Sequence, residues 1–230
     1  KNHAWNISTQ YTHTFWNSAK LTDRLSYNND DINYFGTEAL DYLESDDPRL
    51  GEEDLIQILS EFSCEKNPDV ERFLKKSSIE FTKKNQSITY IVLSIDDGEL
   101  LGYFTIALKP LTVRGETVSN TVKKKLLRVS ELDEETQTYT MSAYLIAQLG
   151  KNFTNGANEK ITGAELLEAA WNKVEEIQYQ AGGVVTFLEA NDDAKLLSFY
   201  NDNKFVKFDT RQTTSKEQES HELVQLLRLL

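Results

Sequence analysis

The chain has a single cysteine, Cys64, so it can form no internal disulfide. A disulfide-stapled secreted fold is excluded, and the cytosol is the expected compartment. There are three histidines, His3, His13 and His221. They show neither the ligand spacing of a zinc site nor a Ser-His-Asp arrangement, and a Cys64 nucleophile has no adjacent histidine. Cys64 is expected to be buried and structural, and no metal is expected. No run approaches the roughly 18 apolar residues of a membrane-spanning helix. No basic-then-apolar leader opens the sequence. The sequons at Asn6, Asn85 and Asn152 therefore carry no weight. Basic residues are scarce: 25 Lys and Arg stand against 37 Asp and Glu, a net charge of −12. That balance argues against a general nucleic-acid or anionic-membrane binder, because phosphate contacts need concentrated Lys and Arg.

What is present is ordinary for a folded chain. With 39% hydrophobic and 10% aromatic residues in 230, the length suits one large domain, or one domain with an appendage. Residues 1–48 are rich in Asn, Asp, Thr and aromatics, and are expected to be an N-terminal extension packed on a main domain of residues 49–230. Apolar spacing at Ile32, Phe35, Ala39, Leu40 and Leu43 predicts a helix there.

The main domain alternates helix and strand signals. A short piece over 54–59 precedes Asn67-Pro68-Asp69, a helix start that predicts one helix through Phe81. Ile88–Ile95 and Leu100–Leu108 flank Asp96-Asp97-Gly98, a hairpin turn signal. Residues 110–137 are charged and predict an excursion between strands. A strand over 138–149, a polar loop over 150–160 and a strongly periodic helix over 163–180 follow. Strands over 184–189, 205–210 and 223–229 and a helix over 192–201 complete the order. It predicts a mixed α/β (α+β) sheet with a helix inserted after the central strand.

Three stretches carry chemistry. Asn158-Glu159-Lys160-Ile161-Thr162-Gly163-Ala164 leads into the long helix, where amides and a positive helix end can face an anion. Leu149-Gly150-Lys151 ends the long strand, where a glycine suits a bulge and oriented amides can polarise a carbonyl. Asn191 to Tyr200 runs from a strand end through a helix closing on Phe199-Tyr200, with Phe205 beyond a tight turn.

In this order the three stretches resemble the GNAT superfamily of acyl-CoA-dependent N-acyltransferases. The upstream pieces Phe62-Ser63-Cys64, Val70, Phe73-Leu74 and Leu101-Gly102-Tyr103-Phe104 resemble a bacterial subgroup that includes toxin-type acetyltransferases. The resemblance spans about residues 50–210. It implies a mixed, mostly antiparallel sheet with helices on both faces and a splayed central strand. It implies acetyl-CoA as cosubstrate, with Leu149, Gly150, Lys151, Asn158, Lys160, Ile161, Thr162, Gly163, Ala164, Asn191 and Phe199 about it, and Tyr200 as proton donor to the departing thiolate. Two departures are visible. Ile161 stands where the family's phosphate loop has its first glycine, and Asn203-Lys204 replaces a glycine before Phe205.

The implied activity is acetyl transfer to a primary amine of a small molecule or protein by direct attack. A non-catalytic acyl-CoA-binding protein is the alternative from another class, and toxin-type acetylation of aminoacyl-tRNA is a further one. The acidic balance disfavours nucleic acid but leaves tRNA open, as it does a homodimer. Lys123-Lys124-Lys125 and Arg128 read first as a solvated face. No carboxylate can be named as general base from sequence; Glu189 is only the nearest to the motif.

Overall fold

A computed structural model describes residues 35–39, 52–213 and 221–230. The chain divides into two compact units, one drawing on residues 1–105 and 148–170, the other on 106–147 and 171–230.

The first unit is built on strand β1 (Phe35–Ala39), β2 (Ile88–Ser94) and the opening of β3 (Leu100–Arg114), adjacent in that order. β1 and β2 are antiparallel, Phe35 opposite Ser94 and Ala39 opposite Tyr90. The helix predicted across 32–43 is thus a strand where it is described. Gly36 and Thr37 weaken a helix here, and pairing with β2 overrides the apolar spacing. The rest of the 1–48 extension lies outside the described residues. The expected hairpin forms: the Ser94 amide donates to the Glu99 carbonyl at 2.9 Å, and Gly98 takes φ 72°.

Three short helices, α1 (Glu52–Ser60), α2 (Pro68–Lys76) and α3 (Ser78–Lys83), pack with this sheet. Asn67 caps α2 as expected, accepting from the Val70 amide. The single helix predicted from Asn67 through Phe81 breaks at Ser77, which is non-helical at φ −126°. The hydroxyls of Ser78 and Thr82 hydrogen-bond the carbonyls of Leu74 and Ser78, the local competition that makes such residues poor in a helix interior. Leu55, Leu59, Phe62, Val70, Leu74, Leu93 and Tyr103 form the core, with Cys64 buried among them as expected.

The second unit holds the remainder of β3 and, in spatial order, β5 (Thr138–Lys151) as far as Ala147, β6 (Val185–Asn191), β8 (Glu222–Leu229) and β7 (Val206–Gln212). The short β4 (Leu132–Asp133) pairs with β5. β3 runs on through Pro110 to Arg114, with Leu111 and Val113 buried, so part of the predicted excursion is strand. Pro110 is tolerated on an exposed stretch that can forgo one donor. The excursion then contains a 3-10 turn (Gly115–Thr117) and α4 (Asn120–Leu126).

β6–β8 and β7–β8 are antiparallel, while β5–β6 is parallel and bridged by α5 (Gly163–Ala181). The parallel register is two pairs long, Tyr144 with Thr186 and Leu145 with Phe187. β6 continues along β8 to Asn191 while Ile146 and Ala147 have left its register, as expected of a splayed central strand. α6 (Ala194–Asp202) lies between β6 and β7, capped by Asp193, which accepts from the Leu196 amide at 2.8 Å. Phe187, Phe208, Met141 and Leu227 contribute to this unit's core.

Candidate functional site

In the first unit the decisive feature is the start of α5. Thr162 is its cap. The Thr162 hydroxyl accepts from the Glu165 amide at 3.1 Å, and a Glu165 carboxylate oxygen accepts from the Thr162 amide at 2.7 Å. This reciprocal pair is a capping box. Ile161, immediately before the cap, is 2% exposed, and Leu166, four residues after it, is 1% exposed. These are the positions of the apolar pair that commonly brackets such a start. Ile161 is therefore an anchor. The Gly163 and Ala164 amides, at the first and second helical positions, make no hydrogen bond among the described residues. Both lie at the positive end of a 19-residue helix.

The approach to this helix is a 3-10 segment, Thr154–Glu159, in which Asn155 and Gly156 take left-handed φ of 51° and 80°. Asn158 is half-buried within it. Lys160 lies at its end and is already committed. Its ammonium sits 2.6 Å from Asp97 and 2.7 Å from Glu99 on the β2–β3 turn, and those two carboxylates raise its pKa.

The end of β5 borders the same region. A Cβ on Gly150 would meet Val70 Cγ1 at 2.3 Å, and one on Gly102 would meet the Gly150 carbonyl at 2.7 Å, so both glycines serve close packing. Tyr103, beside Gly150, donates its hydroxyl to the Val70 carbonyl at 2.6 Å. Asn152 is 2% exposed and fully engaged. Its amide group donates to the Leu100 carbonyl at 2.8 Å, and its carbonyl accepts from the Ser63 and Thr154 amides at 2.9 and 3.1 Å. One side chain thus ties the strand end to β3, to the turn before α2 and to the 3-10 segment. The sequon's asparagine is thus buried. Lys151, half-buried, has its pKa lowered by burial and by Lys66, against an opposing pull from Glu165. The Lys66 ammonium lies 5.0 Å over the Phe153 ring.

The second unit carries the other predicted residues. Asn191 is the exposed last residue of β6, opposite Leu223. Phe199 and Tyr200 lie in the final turns of α6 with centroids 5.1 Å apart, and Phe205 is 6.1 Å from Tyr200. Trp171 continues the chain of rings, 6.4 Å from Phe205. The Tyr200 ring is buried and its hydroxyl makes no hydrogen bond among the described residues. Burial pushes its pKa up to about 12. Glu189 is held by Arg211 at 2.5 Å and by the Gln225 amide at 2.8 Å, a pairing that suits a fixed carboxylate better than a proton acceptor. Among the described residues no group of His, Cys, Asp and Glu could hold a metal, and no helix is long and apolar enough to cross a membrane.

No family profile and no curated protein matches the sequence. Solved structures do. A structure of AtaT complexed with acetyl-methionyl-tRNAfMet is 17% identical, with TM-score 0.54 over 83% of this chain and 93% of that one. A Tyr→Phe variant of KacT is 16% identical, with TM-score 0.55 over 86% and 95%. A Tyr→Phe variant of the AtaT toxin, bound to the C-terminus of the antitoxin AtaR and acetyl-CoA, is 16% identical, with TM-score 0.52 over 86% and 94%. The chain has a GNAT-like fold.

Within the GNAT fold, the predicted residues fall into two groups. Leu149, Gly150, Lys151, Asn158, Lys160, Ile161, Thr162, Gly163 and Ala164 belong to the first unit, and Asn191, Phe199 and Tyr200 to the second. Three residues that shape the first group escaped sequence reasoning: Glu165, Asn152 and Lys66. Glu165 had a signal, since Thr162-x-x-Glu165 before an apolar pair is a capping pattern. Asn152 and Lys66 had none, because their partners are remote in sequence.

Proposed function

We propose that this chain is an acetyl-CoA-dependent N-acetyltransferase acting on a primary amine by direct attack. The observation that carries the proposal is the start of α5 in a GNAT fold: two free amides, of Gly163 and Ala164, at a positive helix end. Such an end binds the phosphates of an extended cofactor. One neighbour of this fold was solved with acetyl-CoA. Lys151 and Lys66 add positive charge beside the same region.

In this reading the strand end at Leu149–Lys151 presents its amides to the thioester carbonyl. The neutral amine nitrogen attacks the carbonyl carbon, and the carbon–sulfur bond breaks. The leaving thiolate takes the phenolic proton of Tyr200, and the proton released by the new amide nitrogen restores the phenol. A phenol with pKa raised to about 12 is fully protonated at neutral pH, which suits a donor. Two AtaT and KacT neighbours were solved as Tyr→Phe variants, in keeping with a tyrosine of interest in the fold.

Two acceptors are weighed. The AtaT complex with acetyl-methionyl-tRNAfMet favours an aminoacyl-tRNA acceptor. The net charge of −12 favours a small or protein amine, because tRNA phosphates need a basic surface. A non-catalytic binding protein is the second reading, motivated by the buried Ile161 at the loop's first glycine position. The test is thiol release from acetyl-CoA with charged tRNA, peptide amines and small polyamines offered in parallel. Acetylation of any one of them supports the enzyme and identifies the acceptor class. Saturable binding of acetyl-CoA without turnover on the whole panel would favour the second reading. Absence of binding would end both.

A further inference from the structure

The start of α5 contains its own anion. The Glu165 carboxylate accepts from the Thr162 amide at 2.7 Å, at the helix end proposed to take the phosphates of acetyl-CoA. It lowers the positive potential there in two ways. It engages the Thr162 N–H, and it adds a negative charge in the first turn. The carboxylate is exposed, so a ligand can displace it.

We infer that Glu165 is an affinity-setting residue, an internal competitor that weakens binding of the cofactor's phosphates. The inference rests on the acyl-CoA reading of the site. It implies that binding of acetyl-CoA is weaker than the open Gly163 and Ala164 amides alone would give. It also implies discrimination: the penalty falls on the phosphate-bearing part of the cofactor and leaves the thioester arm untouched. Ile161 contributes differently, since its side chain is turned into the core and carries no charge.

The test is calorimetric titration of the wild type and Glu165→Gln with acetyl-CoA and with acetyl-pantetheine, which carries the thioester but no phosphate. Glutamine preserves the capping geometry, so the helix start and the fold are retained. The expected result is an acetyl-CoA Kd about fivefold tighter in Glu165→Gln, the size of one unfavourable charge at a helix end, with acetyl-pantetheine unchanged. Wild-type binding that is matched or exceeded in Kd by the variant overturns the inference and leaves the acyl-CoA reading standing. Equal tightening for both ligands also overturns it, because a general change in the site would then be responsible. Failure of both proteins to bind acetyl-CoA removes the acyl-CoA reading, and the inference with it.

Discussion

The two helix ends that carry the candidate chemistry are opposite in character. The start of α5 is polar and satisfied by its own chain: Thr162 and Glu165 cap each other, Lys160 is taken by Asp97 and Glu99, and Asn152 locks the adjoining strand end. The end of α6 is apolar, with Tyr200 set among Phe199 and Phe205 and its hydroxyl left without a partner among the described residues. In the first region, polar residues build a rigid frame and only two amides remain for a ligand. In the second, burial raises the phenol's pKa and so holds its proton. Substitutions in the frame should therefore cost stability. Substitution of the phenol should cost turnover.

The largest stability effect is expected at Gly150. A methyl group there would lie 2.3 Å from Val70 Cγ1. Gly150→Ala should destabilise by about 3 kcal/mol, the upper part of the overpacking range, measured by urea unfolding. Asn152→Ala should follow at about 2 kcal/mol, since it strands the Leu100 carbonyl and the Ser63 and Thr154 amides in a buried place. An unchanged denaturation midpoint for either variant would show that the strand end is loosely packed.

The next contrast is in pH. Tyr200 has a folded-state pKa raised from 10.0 to about 12 by burial. A group raised on folding contributes stability that is fully present below its unfolded pKa and is lost as pH rises through its folded pKa. Stability should thus decline between about pH 10 and 12, and Tyr200→Phe should flatten that part of the decline. An identical alkaline limb in the variant would remove the burial argument. Smallest is Lys160→Ala, whose partners are partly exposed: a loss of about 1 kcal/mol or less, shrinking with added salt.

The same contrast explains what the sequence revealed. The hairpin at Asp96–Gly98, the helix capped by Asn67, the long α5 and the β6–α6–β7 order were legible because each carries a local signal in turn chemistry, capping or periodicity. The misses came from competition that no local pattern records. Phe35–Ala39 spaces its apolar residues like a helix but pairs with β2. β3 continues through Pro110 because the next buried positions, Leu111 and Val113, belong to the second unit's core. Ser77 interrupts a helix whose apolar period runs on. At the candidate site, the positions of Gly163 at the start of α5 and of Tyr200 at the end of α6 were legible from the helix signals around them. The commitment of Lys160 to the hairpin turn depends on residues about sixty positions away.

Thiol release by Tyr200→Phe tests most directly whether this protein transfers acetyl groups with Tyr200 as the acid. With the acceptor found in the panel, the variant should bind acetyl-CoA with unchanged affinity and lose about a hundredfold or more in kcat, the range of a removed general acid. A kcat equal to that of the wild type would contradict the assignment.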